Sequence, residues 1–112
     1  MLKVTIIETR HVRRLVLEGT LVQPWVTELG RVWSAASDGL PKRRLIVDLN
    51  DVTTIGKDGE HALFEMMRKG ARFSCGGVLT RYLLEQLAVK CQVKLRDVMD
   101  QSPRTIETLH KY

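Results

Sequence analysis

The stretch Arg44–Glu60, R-L-I-V-D-L-N-D-V-T-T-I-G-K-D-G-E, limits the fold more than any other part of the chain. It opens with an apolar β-branched run, Leu45-Ile46-Val47, that reaches Asp48 and Leu49. Asn50–Thr54 then reads as a polar turn, and Gly56-Lys57-Asp58-Gly59 leads into apolar residues at helical spacing. A buried strand that gives way to a 3.6-residue period is a strand-to-helix unit. In open α/β sheets, ligands and partners meet the crevice at the carboxyl ends of the strands. Asp48 through Gly59 is therefore the first place to look for function.

The flanking sequence supplies the other elements. Leu2–Thr9 is a partly alternating β-branched strand, and Arg14–Leu21 is a second. The short polar turn at Arg10–Arg13 makes the two an antiparallel hairpin, because parallel strands need a much longer crossover. Pro24 suits the first turn of a helix, on which Trp25, Leu29, Val32, Trp33 and Ala36 share one face, so both tryptophans are expected to meet the sheet. Gly39 and Pro41 end it. After the third strand, Ala62, Leu63, Met66 and Met67 form the buried stripe of a second helix, which Gly70 stops. A fourth strand follows at Ala71–Cys75, then a third helix through Leu79, Leu83, Leu84, Leu87 and Ala88. Leu95, Val98 and Met99 suggest a helical turn, and Ser102-Pro103 opens a last short helix through Ile106 and Leu109. The expected fold is α/β: one domain over 1–112, with a mixed four-stranded sheet (β-hairpin, then βαβαβ) packed with about four helices.

Several function classes lack their residues. Cys75 and Cys91 are too few for a disulfide framework or a zinc set and read as buried free thiols. His11, His61 and His110 form no metal-ligand pair, and a His61–Glu65 pairing on one helix face reads as a surface contact. No phosphate-binding glycine-lysine loop, dinucleotide fingerprint or nucleophile elbow is present, so neither a metal nor a cofactor is expected. The net charge is +5, and most of the basic residues sit at element ends without interleaved aromatics, which disfavours nucleic acid and suits an acidic protein partner. No apolar run reaches the roughly 20 residues of a membrane span, and Met1–Thr9 lacks a signal-peptide pattern. The expectation is a bacterial-type cytoplasmic protein. Leu45–Leu49 imitates the phosphoacceptor strand of a response-regulator receiver, but Glu8-Thr9-Arg10 lacks the acidic pair that would hold Mg²⁺, and a second strand follows where a receiver has a helix.

Leu17-Glu18-Gly19-Thr20-Leu21 followed by Val47-Asp48-Leu49-Asn50-Asp51-Val52-Thr53-Thr54-Ile55-Gly56-Lys57-Asp58-Gly59 resembles a STAS domain, the fold of bacterial anti-sigma-factor antagonists. The likeness covers about residues 2–90 and leaves 91–112 as a helical tail. The family pattern is a strand ending D-L-S-x-V, an apolar residue, then D-S-S-G or D-[ST]-x-G opening a helix. Asp48-Leu49, Val52, Ile55 and Gly59 match it. The resemblance implies a non-enzymatic protein that docks an anti-sigma factor or a switch-kinase-like protein and is released when a serine at the helix start gains a phosphate's charge. Gly56 stands where the family has aspartate, Lys57 where it has its first serine, and Asp58 where it has the phosphoacceptor. Asp58 is then either a fixed charge or a helix N-cap, or both, and Lys57 is placed to neutralise it.

Thr53, Thr54, Gly56, Lys57, Asp58, Gly59, Glu60, His61 and Phe64 are the expected partner-binding loop and helix face, with Arg68 at its far end and Phe64 as its apolar anchor or as a core-edge residue. Thr53 and Thr54 are expected as turn residues rather than phosphosites. Asp48 and Asp51 are expected to stabilise the strand-exit turn. The alternatives are a STAS-type small-molecule or nucleotide-binding module, an accessory subunit of a membrane transporter, or a catalytic site using Asp58 and His61. Homodimerisation is left open.

Overall fold

The computed structural model describes residues 1–37 and 44–100. Within them the order is β1 (Leu2–Glu8), β2 (Val12–Leu21), α1 (Trp25–Ser37), β3 (Arg44–Ile55), α2 (Lys57–Arg68), β4 (Arg72–Ser74), α3 (Val78–Lys90) and α4 (Leu95–Val98). The four strands form one sheet in the order β1-β2-β3-β4. β1 and β2 are the expected antiparallel hairpin, whereas β2–β3 and β3–β4 pair in parallel across the helical crossovers. The single mixed α/β domain is as the sequence reads. The turn at Gly39 and Pro41 and the helix expected from Ser102 lie outside the described residues.

Side chains alternate along β2 and β3 as the pleat requires. Leu15, Leu17, Val47 and Leu49 join Phe73 of β4 in one core with Leu29 and Trp33 of α1, Leu63 and Met66 of α2, and Leu84 and Leu87 of α3. The intervening positions, Arg14, Val16, Ile46 and Asp48, occupy the opposite face and are buried too.

Three readings are corrected. β3 does not stop at Leu49: Asn50–Thr54 is strand, paired with β2 through Glu18–Asp51, Gly19–Val52, Thr20–Thr54 and Leu21–Ile55. Two register shifts, between Val16 and Glu18 and between Gly19 and Thr20, absorb the turn-forming residues, and Val52–Ile55 supplies the β-branched run that sustains the pairing. Asp48 and Asp51 therefore lie within the strand, not at its exit. Leu79 is not on the buried stripe of α3 but is 84% exposed. Trp33 is buried, but Trp25, at the first position of α1, is only half-buried.

Helix α2 is closed at its C-terminus by a Schellman motif. Gly70 N–H donates to Met67 O (3.1 Å) and Ala71 N–H to Met66 O (3.0 Å), with Gly70 at positive φ. After α4 the chain returns to the sheet edge, where Met99 bridges to Phe73 and Asp100 N–H donates to Phe73 O at 2.7 Å.

The start of α2 lies so close to the end of β2 that a Cβ on Gly59 would meet Leu21 O at 2.4 Å. Gly59→Ala is expected to cost about 1–3 kcal/mol in urea denaturation, because the backbone must shift. Gly30, inside α1 with nothing near a built Cβ, is the control. Gly30→Ala is expected to stabilise by about 0.5–1 kcal/mol.

Candidate functional site

The site begins where β3 hands over to α2. Gly56 N–H donates to Leu21 O (3.0 Å), and its carbonyl accepts the first helical bond from Glu60 N–H (2.9 Å). Gly56, with extended backbone, is thus the N-cap, and no side chain caps the helix. Asp58 is not the cap. It lies one residue inside the first turn, exposed, where its carboxylate still meets the positive end of the helix dipole. Lys57 and Asp58 form no ion pair with each other among the described residues.

Thr53, Thr54, Lys57, Asp58, His61 and Arg68 are exposed, while Glu60 and Phe64 are half-buried. Thr53 and Thr54 lie on the strand, and the Thr53 hydroxyl donates to Gly19 O at 3.2 Å. Phe64 packs against the core edge and also stacks on His61, ring centroids 6.5 Å apart. Phe64 is thus an edge residue of the core that keeps part of its ring at the surface.

Two hollows flank this ridge, and Glu60 borders both. One, of about 430 Å³, is floored by Phe64 and Leu87 and rimmed by Lys57, His61 and Lys90. The other, of about 270 Å³, runs between Val52–Ile55 of β3 and Leu79, Thr80 and Leu83 of α3. Sequence reasoning missed the contribution of α3. Its signal was an apolar content too wide for one face: Val78, Leu79 and Tyr82 beside Leu83, Leu84 and Leu87.

Asp48 is absent from this surface. It is fully buried and belongs to a polar network under the sheet. Arg14 Nη1 stands 3.4 Å from one Asp48 oxygen, and Arg14 Nη2 donates to Asp100 at 3.2 Å. The other Asp48 oxygen accepts from the Asn50 N–H (3.0 Å) and the Asn50 side-chain amide (2.9 Å), which itself reaches the Ser74 hydroxyl at 3.3 Å. Arg14 is only 1% exposed, an exception to the expectation that most basic residues sit solvated at element ends. An aspartate inside the apolar run Leu45–Leu49 was the clue, because a buried carboxylate needs a cation.

Among the described residues no group of three His, Cys, Asp or Glu side chains could hold a metal ion. Both cysteines are free and half-buried, and burial raises the pKa of the Cys75 thiol, opposed by the nearby Arg81 charge. No helix among the described residues is long and apolar enough to cross a membrane.

With this geometry, the chain superposes on an anti-sigma factor antagonist from Mycobacterium paratuberculosis with a TM-score of 0.74, over 100% of this chain and 96% of that one. The fold is STAS-like. A second STAS-like relative in structure, a protein with a SpoIIAA-like fold from Shewanella loihica, matches at TM-score 0.60 over 96% of this chain and 92% of that one. The identities are 14% and 11%, so the likeness is one of fold. No protein-family model and no curated sequence matches the chain.

Removing Arg14 takes from the buried network the cation that Asp48 and Asp100 share. Arg14→Met is expected to destabilise the domain by about 3–5 kcal/mol in equilibrium denaturation. Asp100→Asn, which keeps the Arg14–Asp48 contact, is expected to cost less than half as much.

Proposed function

We propose that this STAS-like domain is a non-enzymatic regulatory module that binds a protein partner through the end of β3, the first two turns of α2 and the flanking face of α3. The observation that carries this reading is Asp58, exposed in the first turn of α2 where the resemblance puts a phosphoacceptor serine. A carboxylate there holds its charge permanently and cannot accept phosphate from a serine kinase. Docking at this surface is therefore not switched by serine phosphorylation. The half-buried Phe64 between two hollows gives a partner an apolar contact inside a polar rim, the usual anatomy of a protein interface. The partner class the resemblance implies is an anti-sigma factor or a switch-kinase-like ATPase.

The test is affinity capture from the source organism with the wild-type chain and Asp58→Ser, with and without ATP. The wild type is expected to retain an identifiable anti-sigma factor or ATPase regardless of ATP, and Asp58→Ser to gain ATP-dependent release. Recovery of neither class by either form would overturn the reading.

One observation favours a second reading, a small anionic ligand: Lys57 and Lys90 rim the 430 Å³ hollow over the Phe64 and Leu87 floor. A ligand of the folded state must raise the melting temperature. An unchanged Tm across a nucleotide panel at millimolar concentration would remove the nucleotide version of that reading.

A further inference from the structure

Helix α3 is apolar on two opposite sides. Leu84, Leu87 and Ala88 face the core, whereas Val78, Tyr82 and Val89 are 83%, 62% and 69% exposed. With Glu85, these last three recur at i, i+4, i+7 and i+11, the spacing of one straight stripe on a helix. That stripe points away from the hollow formed by Leu79, Thr80 and Leu83, so the proposed docking surface leaves it uncovered.

The charges beside the stripe select its occupant. Arg81 and Glu85 are exposed, one turn apart, and form no ion pair with each other or with another described residue. A partner of uniform charge would satisfy one of them and repel the other. A second copy of the same helix, antiparallel about a two-fold axis between Tyr82 and Glu85, satisfies both. In that register Val78 of each copy lies opposite Val89 of the other and Tyr82 opposite Glu85, and Arg81, only one residue's rise (about 1.5 Å) out of line on the same flank, reaches Glu85 of the other copy, twice over. Isologous contacts need this self-complementarity. We infer that α3 is the interface of a symmetric homodimer, formed by the Val78–Tyr82–Val89 stripe and two reciprocal Arg81–Glu85 pairs.

A contact of one helix against one helix falls below about 1,200 Å², the range of transient association, so the dimer dissociates on dilution. Each copy keeps its β3–α2 ridge open, and one dimer presents two such ridges to partners.

Sedimentation equilibrium across a concentration series tests this with charge exchange. The wild type is expected to move from monomer to dimer mass as concentration rises. Arg81→Glu alone places carboxylates against Glu85 of the other copy, and Glu85→Arg alone places two cations together, so each is expected to weaken dimerisation at least about tenfold. An equimolar mixture of the two single variants pairs every charge correctly and is expected to restore the dimer, as is the double variant. Both substituted side chains are exposed in the single chain, and recovery in the mixture also shows that the single variants are folded. A wild type that stays monomeric throughout the series would overturn the inference. So would a dimer indifferent to the single substitutions, or one that the mixture fails to restore.

Discussion

Arg14 is the interaction on which the rest of the structure depends. Its guanidinium lies under the sheet, reaching Asp48 of β3 and Asp100 of the segment after α4. Through Asp48 and Asn50 the same network extends to Ser74 of β4. One buried cation thus ties three strands and the returning chain, joining residues 86 positions apart. Such a network contributes little net stability compared with apolar packing, but breaking it is costly. Its effect is positional: it sets where β3 lies relative to β2 and β4, and so where β3 releases the chain into α2.

That release point is the centre of the proposed docking surface. The register shifts in the β2–β3 pairing bring Leu21 opposite Ile55. Gly56 then bonds back to the Leu21 carbonyl, and Gly59 lets the first turn of α2 rest against it. The surface is consequently fixed by backbone contacts on both sides of Asp58. Asp58 itself contributes no cap and makes no ion pair with Lys57. In the proposed function its consequence lies in chemistry: a carboxylate occupies the position where the family resemblance puts a switchable hydroxyl.

Much of this was legible in the sequence because local patterns and topology agreed. The short link at Arg10–Arg13 announced the hairpin, and Gly70 announced the end of α2. The length of β3 was not legible, since Asn50 and Asp51 are turn formers in isolation, and only the pairing of Asp51 with Glu18 and the bonds of Asn50 to Asp48 and Ser74 keep the strand running. Arg14 was obscured by its neighbours Arg10 and Arg13, because one-residue alternation decides which of three nearby arginines goes inside. Leu79 was misplaced for a related reason. A helix with apolar residues on opposite sides has no single stripe, so periodicity cannot choose the face that meets the core. Asp58 was identified as the position of interest, but its place within the turn depended on Gly56 taking the N-cap.

The β3–α2 junction is pinned to the end of β2, so that the surface around Asp58 is preformed rather than assembled on binding. Amide hydrogen exchange of the free protein measures this directly. A preformed junction predicts that Gly56 N–H, bonded to Leu21 O, and Glu60 N–H, bonded to Gly56 O, exchange as slowly as amides of the β2–β3 ladder. Exchange of both at the rate of an unprotected loop, while that ladder stays protected, would contradict it.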